Sequence, residues 1–250
     1  MIIMKRFIFT WLYILVGLTW AQDSPSIMRG GYMKVLQGKE SAYEKAVASH
    51  VSKWHGPEQW NQYAWRVETG PRTGQYFVAT FGHYWKDFDE RVTTKEHDKD
   101  WERIVRNFVD DDDEGDGSMF MKFNEKLSYD RGGSSSKLAV TYYYCRANAI
   151  RAMEEIIGKL KAANEQAEFE ESYNIFTKEA GGPNEVLIAV LLMDGYAGMA
   201  PVSPSIAERY TAAHGEEAWK TDYEIWTNGL RWSETEIMTY MPNLSTPLAE

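Results

Sequence analysis

The sequence predicts an α+β protein built from two tandem βαββαβ repeats, and three observations carry that prediction. The first is an internal echo. Within segment 75–101, Glu90-Arg91-x-Thr93 is followed by His97 and Trp101, and within segment 186–219, Glu208-Arg209-x-Thr211 is followed by His214 and Trp219. Each segment includes an apolar, strand-like run, preceded by a turn: Glu68-Thr69-Gly70-Pro71 in one case and Ala180-Gly181-Gly182-Pro183 in the other. The second observation is that apolar residues switch between a two-residue and a 3.6-residue period in the same order in both halves. The third is a Gly/Ser-rich stretch, Tyr129 to Ser136 (YDRGGSSS), whose composition favours a flexible connection. The domains expected are a leader over 1–21, a first repeat over 22–130, a linker over 131–137 and a second repeat over 138–250.

In the first repeat, Gln22 to Met28 reads as a polar leader and Tyr32 to Leu36 as a strand, ended by Gln37-Gly38-Lys39. From Glu40 to Trp54, Tyr43, Ala46, Val47, Val51 and Trp54 form the stripe of an amphipathic helix, with His50 joining at the seven-residue step. Gly56-Pro57 ends it. Gln62 to Glu68 alternates, with Tyr63, Trp65 and Val67 on one face, as a half-buried strand does. Gln75 to Phe81 pairs with it as a hairpin around Gly70-Pro71 and Gly74. Asp89 to Val109 reads as one helix, with Thr94, His97, Trp101, Ile104, Val105 and Phe108 on one side. The acidic run Asp110 to Glu114 closes it, and Ser118 to Phe123 forms the fourth strand. A calcium loop is weighed for the acidic run, but the twelve-position ligand pattern is missing and a solvated loop is the expectation.

The second repeat follows the same order. Leu138 to Cys145 is a strand, and Ala149 to Asn164 is a helix with Ile150, Met153, Ile157 and Leu160 on one face. Tyr173 to Thr177 and Val186 to Leu192 form a hairpin around Gly181-Gly182-Pro183. Ser203 is the expected N-cap of the last helical region, with Pro204 at its first position, and Gly215 breaks the helix after His214. Glu216 to Leu230 keeps Trp219, Tyr223, Trp226 and Leu230 together, and Glu236 to Met241 closes the sheet. Strand, helix, strand, strand, helix, strand is the split βαβ order of a ferredoxin-like unit.

At 250 residues, 44% hydrophobic and 26% charged, the chain is globular in composition. Lys5 and Arg6 precede an apolar run from Phe7 to about Trp20, with small residues Thr19 and Ala21 suited to cleavage after Ala21. This predicts a secretory signal peptide, because the run is shorter than the ~20 residues a membrane span needs. The expected location is secreted or periplasmic. Cleavage leaves 25 basic against 37 acidic residues, a net charge of −12. That balance argues against nucleic acid and against anionic membranes as partners. The single cysteine, Cys145, cannot form an intramolecular disulfide or supply a CxxC metal pattern, and a buried, inert thiol is expected. No nucleophile elbow, P-loop, dinucleotide fingerprint or HExxH is present.

The opening YMKVLQGKESAYEKAV, with its strand-to-helix switch at Gly38-Lys39-Glu40, and the pattern of elements from Gly31 to Met241 resemble the dimeric α–β barrel superfamily. That group includes NIPSNAP-like proteins, antibiotic-biosynthesis-type monooxygenases and duplicated haem proteins related to chlorite dismutase. The resemblance implies two helix-covered sheets that pack sheet to sheet, or close into a barrel within one chain. A monomer with an internal pseudo-dimer, or a homodimer, follows.

The ring-bearing positions Tyr32, Trp65, Phe81, His83, Trp85, Tyr142 and Tyr144 are the candidate ligand pocket. Aromatic rings supply contact area for an apolar or carbohydrate ligand. In the cofactor-free oxygenases of the superfamily, polar and aromatic pocket residues do the chemistry, and Tyr32, Trp65, His83 and Trp85 fit those roles; packing is the plain alternative. His83 follows Phe77, Ala79 and Phe81 on one strand face, which makes it a proton-transfer or haem-ligand candidate. A histidine satisfied by its neighbours is the competing reading. The resemblance to duplicated haem proteins implies an axial ligand from the second half, for which His214 is the candidate, although its place beside Gly215 suits a residue bonding free carbonyls. No cofactor and no metal are expected, with haem as the alternative. The expectation is an exported small-molecule-binding module, with a haem-dependent or cofactor-free oxygenase, or a protein-interaction module, as the alternatives.

Overall fold

A computed structural model of the protein describes residues 24–56, 60–91, 93–110, 117–132 and 135–247. The expected signal peptide and most of the acidic run lie outside the described residues. Eight strands form one closed antiparallel barrel. They are β1 (Ile27–Met33), β2 (Tyr63–Val67), β3 (Tyr76–His83), β4 (Ser118–Phe123), β5 (Lys137–Cys145), β6 (Tyr173–Ala180), β7 (Val186–Met193) and β8 (Leu230–Tyr240). The helices are α1 (Glu40–Trp54), α2 (Trp85–Glu90), α3 (Lys95–Ile104), α4 (Ile150–Gln166), α5 (Ile206–His214) and α6 (Glu216–Gly229).

The first half contributes the order β4-β1-β3-β2 and the second β6-β7-β5-β8. They join at two seams, β2 with β8 (Trp65 opposite Tyr240) and β4 with β6 (Phe123 opposite Phe176). The expected sheet-to-sheet packing is therefore realised as edge-to-edge closure, which leaves no row of unpaired backbone groups at a sheet edge. Period-two alternation sends one face of every strand inward. Met28, Phe77, Met121, Val140, Phe176 and Met238 belong to that inner core. On the outside, α1 covers the first half through Tyr43, Val47 and Val51. Met153 and Ile157 of α4 cover the second half.

Several expected boundaries move, each for a local reason. The first strand starts at Ile27 and ends at Met33, because Ile27 and Met28 pair with β3 and β4 and are buried. The helix expected over Asp89 to Val109 is broken. Arg91 is extended, and Thr94 starts a new helix by accepting a hydrogen bond from the His97 amide. The N-cap of α5 is Ser205 and not Ser203; it forms a capping box with Glu208. The linker is tied down at its start: Tyr129 is buried and bridges Tyr173, and Arg131 donates to the carbonyls of Glu168 and Phe169. The last strand is longer than the expected Glu236 to Met241, because β5 pairs with it from Leu230 onward. Cys145 is buried, and burial pushes its thiol pKa up, as an inert thiol requires.

Candidate functional site

The barrel encloses a cavity of about 610 Å³. Its wall is made by inward positions of β1 to β8, with Trp65 of β2, Phe81 of β3, Val190 of β7 and Tyr240 of β8 among them. The Trp65 ring stands 6.0 Å from Phe81 and 5.8 Å from Tyr240, centroid to centroid. Gly30 leaves the space in β1 that Phe77 fills, since a Cβ there would lie 2.6 Å from the Phe77 ring. Gly82 and Asp130, both exposed, mark the mouth. Within this apolar wall, the Asn174 Oδ1 is buried and meets no hydrogen-bond donor among the described residues.

A polar network adjoins the cavity through one wall residue, Tyr142. Glu236, fully buried, accepts from Arg72 Nε at 2.8 Å and from the Tyr32 hydroxyl at 2.8 Å. The Tyr32 and Tyr142 hydroxyls are 2.6 Å apart. Arg72 donates a second bond to Glu234 at 2.8 Å, and Tyr144 donates to the same carboxylate at 3.2 Å. The guanidinium lies 4.3 Å from the Tyr32 ring centre. Burial, with the neighbouring Tyr142 and Glu236, pushes the Tyr32 pKa far up; burial does the same to Tyr142. Both phenols keep their protons, so Tyr32 donates to Glu236 and Tyr142 donates to Tyr32.

Five of the expected pocket residues, Tyr32, Trp65, Phe81, Tyr142 and Tyr144, thus meet at the barrel interior. Three candidates do not. Gly82 has φ +75°, a conformation open to glycine, and it interrupts the strand alternation just before His83. The His83 ring stacks on Trp60 at 4.0 Å outside the lumen, and its Nε2 is bonded to Thr80 Oγ1. Burial lowers its pKa. Trp85 opens α2, half exposed, against Phe120. His214 ends α5 with Nε2 2.8 Å from the Lys159 carbonyl oxygen of α4. His97 and His214 correspond in the sequence echo but not in the fold, since His97 lies in the first turn of α3 and His214 is the last residue of α5.

A second group of side chains went unread in the sequence. His50 on α1, His55 just beyond it and His97 on α3 each place one ring nitrogen within 4.8 Å of the others. They border a cavity of about 640 Å³ between the helices and the outer face of the sheet. The helical spacing put His50 and His97 on apolar faces, where neither stood out from packing residues.

Neither a family model nor a curated relative matches this chain. Solved structures do. A monooxygenase-like protein from Fusobacterium nucleatum superposes with TM-score 0.57 at 11% identity, covering 87% of this chain and 93% of its own. A chlorite dismutase variant from Candidatus Nitrospira defluvii gives 0.54 at 9% identity over 88% and 93%. A haem-binding protein from Thermus thermophilus gives 0.50 at 8% identity over 88% and 92%. This chain shares their fold.

Proposed function

We propose that this protein is an exported small-molecule-binding module whose ligand, apolar and ring-bearing, sits in the barrel lumen. The observation that carries the reading is the cavity of about 610 Å³ walled by rings, those of Trp65, Phe81 and Tyr142 among them. A ligand of this class gains by removing apolar area from water, roughly 25 cal/mol per Å². An N–H or O–H on it would satisfy Asn174 Oδ1, which otherwise carries a desolvation cost. The two halves read as fused ferredoxin-like repeats, supported by their matching strand order, and a monomeric pseudo-dimer is supported by both seams lying within the chain.

Haem, which one neighbour binds, does not fit the two histidines that the sequence offers for it, His83 and His214. An axial ligand presents a free lone pair to a cavity. His214 spends Nε2 on a carbonyl, and His83 is stacked under Trp60 with Nε2 bonded to Thr80. The cavity of about 540 Å³ beneath the second-half helices, lined by Tyr173, Arg209, Tyr210 and Trp219, has no histidine in its described wall. A titration with haemin is expected to give no Soret band that depends on either histidine; a band lost on replacing His214 or His83 would restore haem.

The lumen reading is tested with Nile red, a neutral aromatic dye. Saturable one-to-one binding is expected, lost in Val190→Trp, where the indole fills the cavity while far-UV circular dichroism is unchanged. Equal binding in Val190→Trp sinks the reading. Export is tested by the mass of the mature protein, expected to start near Gln22.

A further inference from the structure

His50, His55 and His97 come from different places in the chain and converge with a common geometry. The His50 ring lies 4.8 Å from that of His97 and 5.4 Å from that of His55, centre to centre, with Trp101 edge-on to His50. Every Nδ1 is already engaged. His50 Nδ1 is 3.1 Å from Asp100 Oδ2, His97 Nδ1 is 3.0 Å from Asp98 Oδ1, and His55 Nδ1 is 2.6 Å from the Trp60 carbonyl oxygen.

Those partners fix the tautomers. A carbonyl only accepts. A carboxylate likewise accepts, and Asp100 takes further hydrogen bonds from Trp54 and Arg103. With acceptors on all three sides, each Nδ1 carries the proton, and a neutral ring then presents a bare lone pair at Nε2. The Nε2 atoms of His50 and His97 are buried and meet no donor among the described residues. Lone pairs on ring nitrogens brought that close repel unless something positive or proton-donating sits between them.

We propose that His50, His55 and His97 bind a divalent transition-metal ion, zinc by its chemistry, through their three Nε2 atoms. Imidazole donors suit zinc, and a carboxylate or carbonyl on the far nitrogen is the arrangement that orients metal-bound histidines and raises their basicity. Metal–nitrogen distances of about 2.0–2.1 Å place tetrahedral donors roughly 3.4 Å apart, so the rings close inward on binding. The cavity of about 640 Å³ beside them, with Thr80, Asn61 and Arg91 in its wall, leaves a fourth position for water or an added ligand. Three protein ligands and an open position are the coordination of a reactive zinc site and not of a closed structural one.

The test uses untagged, chelator-treated, full-length protein dialysed against Zn²⁺, with Co²⁺ as a spectroscopic stand-in. One equivalent of Zn²⁺ per chain is expected, and Co²⁺ should give the intense visible bands of a four-coordinate site. His97→Gln is the least disruptive ligand variant, because His97 reaches the surface at 17% side-chain exposure. It should lose saturable binding, as should His55→Ala, while Asp100→Asn binds about 10–100-fold more weakly. A Zn²⁺-dependent rise in Tm of the unmutated protein, absent in His97→Gln, reads the site even if His55→Ala fails to fold. No saturable uptake by the unmutated protein would mean that water fills the cluster, and binding unchanged in both histidine variants would place the ion elsewhere; either result overturns the proposal.

Discussion

Glu236 has no exposed surface, and its carboxylate is matched by Arg72 and Tyr32 at 2.8 Å each. A buried pair of this kind contributes little net stability against an apolar replacement, yet removing one partner strands the other. Glu236→Ala is therefore expected to destabilise by about 3–5 kcal/mol in denaturant unfolding; a change under about 1 kcal/mol would show that water reaches Arg72. At the rim, Glu68 joins β2 to the neighbouring strands. Burial raises its pKa, but hydrogen bonds from Thr239, Tyr196 and Lys137 outweigh that and hold it at about 2, against an ordinary 4.5. A folded pKa below the unfolded one stabilises the fold above about 4.5, and that contribution is lost as pH falls toward 2. Thermal melts of Glu68→Gln should sit below those of the unmutated protein above this window and converge with them near its acid end. Residues such as Trp65 and Phe81 were legible in the sequence because a strand fixes which face a side chain takes. His83 was misread because one glycine, Gly82, undoes that rule locally.

At the scale of elements, capping separates what pattern can and cannot find. Ser203-Pro204 has the composition of a helix start, but Ser205 accepts from the Glu208 amide, and the Glu208 carboxylate returns the bond to the Ser205 amide. Ser205→Ala should cost about 1 kcal/mol, as caps do, and Ser203→Ala almost nothing; equal costs would remove the assignment. The break between α2 and α3 follows the same logic. The apolar side from Thr94 to Phe108 is continuous enough to read as one helix, and the Thr94 cap that restarts it competes through a single hydrogen bond. That break has a consequence for the candidate metal site, since it sets His97 in the first turn of α3, opposite α1. Helix α1, by contrast, was legible to the residue, because its stripe and its Gly56-Pro57 stop agree.

At the scale of the whole molecule, each half uses an edge strand of the other, so neither sheet is complete alone. Unfolding should be a single transition, with tryptophan fluorescence and far-UV circular dichroism coinciding. Two separable transitions would mean that the halves fold independently and the seams add little. The sequence by itself determined the α+β class and where most strands and helices lie along the chain, because these follow from local periodicity and turn chemistry. Tertiary structure alone decided the closure at β2–β8 and β4–β6, the burial of Glu236 against Arg72 and the meeting of His50, His55 and His97. Arg72 and Glu236 stand 164 positions apart and His97 lies tens of positions beyond His50 and His55, and side chains that far along a chain interact only through a fold that periodicity describes without placing in space.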